Sequence, residues 1–357
     1  MIALSARNCF SYSFFKIQSS VIKFVLFGTL HKRVFLISED SFVNSMEKVW
    51  IVGANGRVGH ELLKIFMQKE IEVFYTDEDE VDIVKLDDVI NYADLNRPHD
   101  IINCAGMTDV IACENNIDSA FKVNAIGARN LSIAARKVGA RIIQLSTDDV
   151  FDGQSKQPYT EFDIPNPRTV YGKSKLAGEN FVRDLTTKHI IIRSSWIFGS
   201  GENYVENLLE EANRNYNIGV AKDQFASPTS AKYLAEMILY LMEFGEYGLF
   251  HVTCQGECSR FEFAEEVLRI SQTKAKLHPV SSEQDKLTSF RPSYSVLDNL
   301  MLRLLGIPLL PPWQRALEDY IEEYKKEKQN KKDKKSEREK KSEKVKKSEK
   351  EKNSKKQ

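Results

Sequence analysis

Tyr171 and Lys175 form a Tyr-x-x-x-Lys pair, with Ser146 and Thr147 before it and a glycine triplet, Gly53, Gly56 and Gly59, far upstream. A free phenol ionises near pH 10, too high to exchange protons readily at neutral pH. An ammonium about one helical turn away favours the phenolate and lowers that value, so the hydroxyl can serve as a general acid. A hydroxyl such as Thr147 can hydrogen-bond a substrate oxygen that is becoming an alkoxide. A Gly-x-x-Gly-x-x-Gly turn between a strand and a helix presents backbone N–H groups to a pyrophosphate. Each feature has a plain alternative, an exposed helical pair or an ordinary turn. Their order along one chain implies carbonyl reduction with a nicotinamide dinucleotide.

The elements that must position these groups are legible in outline. Residues 48–52 read Lys-Val-Trp-Ile-Val, an apolar run suited to a strand buried on both faces. The glycine turn follows, then a helical pattern through Leu62, Leu63, Ile65 and Phe66. Gly53 permits the tight turn, Gly56 lets phosphates approach, and Gly59 allows close packing of helix on strand. A second strand over 71–75 leads to Asp77, an acid placed to hold an adenosine ribose and disfavour a 2′-phosphate. Arg57 argues the other way, since a guanidinium beside the loop suits that phosphate. Residues 77–82 also read as a simple acidic turn, so the choice between NADH and NADPH stays open.

A strand over 100–104 ends in the small residues Cys104, Ala105 and Gly106, which would let a nicotinamide lie against the backbone. A helix is predicted over 118–137, closed by Gly139, and a strand over 141–145 leads into Ser146-Thr147-Asp148. A helix over 172–183 follows, placing Tyr171 and Lys175 on one face. This alternation predicts an α/β fold with a Rossmann-type doubly wound parallel sheet, whose ligands collect at the carboxyl ends of the strands. Helices over 203–213, 231–244, 261–270 and 313–324, with a strand over 249–253, predict a smaller C-terminal substrate-binding region. Arg291 there reads as a diphosphate ligand or as a surface arginine.

Taken together, these residues resemble the dTDP-4-dehydrorhamnose reductase family, within the extended short-chain dehydrogenase/reductases. Ser146-Thr147-Asp148-Asp149-Val150-Phe151-Asp152-Gly153 is similar to that family's Ser-Thr-Asp-Tyr-Val-Phe-Asp-Gly. Tyr171-Gly172-Lys173-Ser174-Lys175, with Gly178-Glu179, matches its Tyr-Gly-x-(Ser/Thr)-Lys…Gly-Glu helix. The stretches 193–199, 223–229 and 291–299 follow the family pattern, so the resemblance runs from Met46 to about Tyr324. It implies hydride transfer from NADPH or NADH to the 4-keto carbon of a nucleoside-diphosphate sugar, dTDP-4-dehydro-L-rhamnose. It assigns Tyr171 as proton donor, Lys175 as its electrostatic partner and Thr147 as hydroxyl ligand of the substrate. Val110, Asp148 and Trp196 fall at sugar-nucleotide positions. Gly56, Arg57, Val58, Asp82, Ile83, Cys104, Ala105 and Gly106 fall at cofactor positions. It also implies a homodimer and allows a magnesium ion at a subunit interface, toward which Glu61 matches one acidic ligand. Two residues depart from the pattern near the sugar pocket: Asp149 replaces an aromatic and Ile111 an aspartate. Other readings are a reductase or epimerase of another nucleoside-diphosphate sugar, or a non-catalytic regulatory subunit like the beta subunit of methionine adenosyltransferase.

The 357 residues carry zero formal net charge, which hides an asymmetry. Residues 325–357 hold 17 basic and 7 acidic side chains, leaving 34 basic against 44 acidic in the rest. The acidic body does not suggest a nucleic-acid surface, and one anionic substrate needs only a local basic patch. The expected organisation is an N-terminal extension over 1–45, a dinucleotide-binding domain over 46–200, a mainly substrate-binding region over 201–324, and a solvated Lys/Glu-rich tail over 325–357. The first 45 residues are basic, with no acid before Glu39, in the manner of an organelle transit peptide. The reading adopted is a non-homologous extension ahead of a working start at Met46, which implies a cytoplasmic protein, with organelle import as the alternative. The apolar stretch near Val21–Leu30 is interrupted by Lys23 and too short to span a bilayer. Five cysteines show neither zinc-ligand spacing nor an even count, so buried thiols are expected. The tail is expected to add nothing to binding of nucleic acid. RNA-binding assays at varied salt on the full chain and on a chain ending at Tyr324 should give matching curves.

Overall fold

Residues Lys48–Val52 form β1, whose successive side chains alternate between two cores. Val49 and Ile51 enter one apolar cluster, Trp50 and Val52 the other. Both faces of this strand are therefore dry, as its continuous apolar sequence requires. Each fully buried large side chain, such as Trp50 or Phe66, contributes roughly 1.5–3 kcal/mol.

The computed structural model describes residues 47–69, 71–282 and 291–329, with two short paired strands at Lys16–Ile17 and Ser20–Val21. The chain divides into two units, Met1–Met46 and Glu47–Gln357, and every residue singled out for chemistry lies in the second. Apart from that strand pair, the expected N-terminal extension lies outside the described residues, as does the expected tail from residue 330.

Five further strands join β1: β2 (Glu72–Thr76), β3 (Asp100–Asn103), β4 (Arg141–Thr147), β5 (His189–Ser194) and β6 (Gly248–His251). Their order across the sheet is β2-β1-β3-β4-β5-β6, and every neighbouring pair is parallel. The fold is α/β of the Rossmann type. Strand order turns at β1, with β2 on one side and β3 on the other, and that turning point opens a crevice at the strands' carboxyl ends. The last strand of the sheet comes from the C-terminal part of the chain.

The principal helices are α1 (Arg57–Gln68), α2 (Leu86–Asn96), α3 (Ala128–Val138), α4 (Val170–Leu185), α5 (Tyr204–Arg214), α6 (Ala231–Phe244) and α7 (Arg260–Ser271). Leu62 and Phe66 of α1 pack with α6 on one face of the sheet, and Leu131, Ala134 and Ala135 of α3 cover the other. The predicted helix over 118–137 is broken into three parts. An α-turn at Ile117–Phe121 passes into a π-turn at Lys122–Gly127 before α3 begins. The cause is Asn124, whose amide accepts from Met107 N at 2.8 Å and donates to Met107 O at 3.0 Å. A side chain that captures another segment's backbone from inside a helix favours such a local bulge. Among the described residues no helix is long and apolar enough to cross a membrane.

Gly53, the first residue after β1, has φ +78°, and a Cβ there would lie 2.6 Å from Ala105 N. The turns after β1 and β3 thus touch through backbone alone. Gly53→Ala should cost about 2–4 kcal/mol, from left-handed strain together with overpacking, read as a lower urea midpoint.

Candidate active site

The glycine turn fits a dinucleotide. Gly56 caps α1 without a side-chain hydrogen bond, and the first helical turn carries no acid, so its N–H groups are left for an anion. Val58 and Gly59 are buried in that turn. Asn55 N donates to Asp77 Oδ2 at 2.9 Å, so the acid after β2 also braces the loop. Burial, opposed by that backbone donor, raises the Asp77 pKa. Arg57 donates to Glu202 O at 3.2 Å, and its charge is felt at Tyr171 and Arg291. It faces the proposed reaction end of the crevice rather than Asp77.

Further along, Asp82 accepts from Val84 N at 3.0 Å and pairs with Lys85 at 3.3 Å. Ile83 is buried, and its carbonyl accepts from Asn130 at 2.9 Å, which anchors this loop to α3. Cys104, Ala105 and Gly106 form the opposite lip, and burial pushes the Cys104 thiol up to about 12, which keeps it unreactive.

Strand β4 delivers Ser146 and Thr147, and a single 3-10 turn at Asp148–Val150 follows. Helix α4 starts against it, capped by Thr169, which accepts from Gly172 N at 2.9 Å. Tyr171 and Lys175 lie one turn apart on α4, both buried. Lys175 Nζ donates to Leu145 O at 2.7 Å. Burial pulls its pKa down to about 8, against the pull of Glu179 in the other direction.

The Tyr171 phenol lies close enough to Thr147 for the two hydroxyls to influence each other. Its pKa is raised by burial first and by Asp149 next, while Arg291 and the Thr147 hydroxyl oppose the rise. Sequence spacing predicts the reverse direction, driven by Lys175. The difference arises because Lys175 is held by a strand carbonyl, while a buried carboxylate lies close to the phenol. The phenol is protonated at neutral pH, as a donor must be, and the rise makes it a weaker acid than the free side chain.

Two carboxylates fix the frame around this pair. Glu179 has no exposure and accepts from Ser146 Oγ at 2.5 Å and from Arg193 Nε and Nη2 at 2.9 and 2.7 Å. Asp148, also buried, accepts from Ser195 Oγ at 2.7 Å, Ser295 Oγ at 2.5 Å and Thr147 Oγ1 at 3.1 Å.

Arg291 Nη1 donates to Asp149 Oδ2 at 2.8 Å and its guanidinium lies 6.0 Å from the Tyr171 ring. Val110 packs against Tyr171 in a small apolar cluster. Trp196, in the left-handed region at φ +41°, stacks under Arg260 at 3.4 Å. Thr147, Tyr171, Asp148, Val110 and Arg291 are therefore brought together, with Arg57 and Trp196 linked to them through charge and stacking. Asp82 lies in its own turn, held by Lys85 and Val84.

Three features are missing from the sequence reading. Asn124 also donates to Ser174 Oγ at 2.9 Å, tying the lip at Met107 to α4. A lone asparagine on the apolar stripe of Ala120, Val123 and Ala128 is its one visible sign. Arg260 is buried between Trp196 and Tyr204, and the Ser259–Glu262 capping box marks the helix that carries it. The Glu179–Arg193 pairing joins α4 to β5, a distance in sequence that no local pattern reports. Glu61, the residue considered for magnesium, contacts Lys64 at 3.1 Å and Ser200 at 2.8 Å. No cluster suited to a metal ion occurs among the described residues.

Glu179→Gln would leave the buried Arg193 guanidinium without its counter-charge. A loss of about 3–5 kcal/mol in unfolding free energy is expected, measurable by denaturant titration.

The family model described as the RmlD substrate binding domain matches residues 46–326. The chain is 36% identical over 279 residues to the spore coat polysaccharide biosynthesis protein SpsK of Bacillus subtilis, covering 78% of this chain and 98% of that protein. A dTDP-4-dehydrorhamnose reductase structure from Clostridium acetobutylicum is 41% identical with a TM-score of 0.77, covering 78% of this chain and 99% of that one. Another dTDP-4-dehydrorhamnose reductase, from Bacillus anthracis in complex with NADP, is 38% identical with a TM-score of 0.76, covering 78% of this chain and 100% of that one. With a dinucleotide turn, a buried tyrosine–lysine pair and a family match across the whole described body, the chain belongs to the RmlD substrate binding domain family of Rossmann-type reductases.

Proposed function

We propose that the protein is an NADH- or NADPH-dependent sugar-nucleotide reductase that converts the 4-keto group of dTDP-4-dehydro-L-rhamnose to the alcohol of dTDP-L-rhamnose. The observation that carries this reading is the Tyr171 phenol, buried beside Thr147 and next to the crevice between β1 and β3. The bound cofactor would supply the hydride. Gly53, Gly56, Val58 and Gly59 would hold its pyrophosphate on the N-terminus of α1, with Asp77 and the loop at Asp82–Ile83 along its adenosine side. Cys104, Ala105 and Gly106 would form a flat backing without large side chains.

The chain's own residues then handle the proton. Thr147 orients the carbonyl oxygen, and Tyr171 releases its proton to that oxygen as the C4 carbon is reduced. Lys175, fixed on the Leu145 carbonyl, presents its charge toward Cys104 and would help to hold the cofactor's ribose when it is bound. Asp148, clamped by two serines and Thr147, lies where a sugar hydroxyl can be received. Arg291 and Arg260 supply positive charge for a diphosphate, with Val110 and Trp196 as apolar walls. Support for the dTDP sugar comes from the relatives named as dTDP-4-dehydrorhamnose reductases.

The test is oxidation of NADPH and NADH with dTDP-4-dehydro-L-rhamnose. Tyr171→Phe should lower kcat by roughly 10²–10⁴ with cofactor affinity retained. Full activity in that variant would remove Tyr171 as the acid, and cofactor binding without turnover of the sugar would remove the reductase assignment.

A further inference from the structure

Asp149 is one of the two departures from the family pattern, and its environment is unusual for a carboxylate. Its side chain is 2% exposed, next to a second buried carboxylate, Asp148. Asp148 is occupied by hydroxyl donors from Thr147, Ser195 and Ser295. Asp149 instead takes a guanidinium, Arg291 Nη1, at 2.8 Å. The charged groups facing it are Arg291, Asp148 on its own turn, Arg260 from α7 and, across the pocket, the Tyr171 phenol of α4. Arg291 is about one-third exposed, at 32%, and hangs over the Tyr171 ring, so it bridges the buried acid and the open cleft.

We propose that Asp149 is a proton-linked specificity element: it holds Arg291 in the free protein, and it takes up a proton when the diphosphate of a nucleotide sugar engages that guanidinium. The inference rests on the reading of the cleft as a nucleotide-sugar site. The direction follows from charge alone. An anion arriving at Arg291 either shares its positive charge or withdraws it, and both changes disfavour a buried carboxylate that already has Asp148 beside it. Burial, with Asp148 adding to it and Arg291 opposing, already holds Asp149 up at about 6. A further rise carries it across neutrality. A neutral side chain at this position has no proton to gain when an anion arrives.

The consequence is a binding constant that depends on pH. Above about pH 6 the free protein carries an ionised Asp149 while the complex still carries a neutral one, so over that interval affinity falls by up to about tenfold per pH unit. Calorimetric titration of the full chain with dTDP-L-rhamnose, in the presence of NAD⁺ or NADP⁺, measures this directly. The sugar nucleotide's diphosphate is a diester and does not titrate in that range. In two buffers of unequal ionisation enthalpy, the wild type should take up close to one proton near pH 7. Asp149→Asn and Asp149→Tyr should bind with no uptake and a flat pH dependence. Wild-type affinity that does not change with pH overturns the proposal without any variant, as does uptake that persists in both variants. Absence of dTDP-L-rhamnose binding at every pH overturns the nucleotide-sugar reading itself, and this inference falls with it.

Discussion

Glu179 sits on α4 with no exposure to water and draws three donors to its two oxygens, Ser146 from β4 and the forked guanidinium of Arg193 from β5. An ionised carboxylate in that position is tolerable only if its partners stay, because the cost of stranding either charge is several kcal/mol. Helix α4 therefore has one position relative to the sheet. One turn before Glu179 is Lys175, which the same carboxylate favours in its charged form. One turn earlier still is Tyr171. A single buried charge thus sets where the helix lies and partly offsets the burial that lowers its lysine's pKa.

The remaining constraints are close approaches between backbones. The turn after β1 meets the lip after β3 at Gly53 and Ala105, and Gly178 of α4 passes the carbonyl of Asn124 so closely that a Cβ would lie 2.4 Å from it. Asn124 in turn clamps Met107 and Ser174 from within a π-turn. Crevice, lip and helix are linked by contacts that leave no room for side chains. A site assembled in this way is pre-organised, and its donors need not move when charge develops.

The strands and the glycine turn were legible because their signals are local. Short strands with apolar centres, Val49–Val52, Ile101–Ile102 and Ile142–Ile143, point to burial on both faces, and Ala231–Phe244 shows its helix plainly. The Tyr171–Lys175 pair and the Thr147 strand end were legible for the same reason. What could not be read was anything set by contact across the fold. The direction of the Tyr171 pKa is set by burial first and then by Asp149 against Arg291, residues 22 and 120 positions away in the chain. The π-turn needed knowledge that Asn124 would meet Met107. Asp149 itself was visible as a departure from the family pattern, but its partner was not.

Strand β6 completes the sheet from residues 248–251, long after its neighbour β5 has left the ribosome at 189–194. Until then the outer edge of β5, with Ile190, Ile191 and Ile192 in sequence, has no hydrogen-bonding neighbour on that side. A parallel edge of β-branched residues is a ready template for stray pairing with another nascent chain. The dinucleotide-binding half is consequently not a unit that synthesis can finish and leave behind. Its ketone chemistry and its solubility during biogenesis both wait on the part of the polypeptide that is made later.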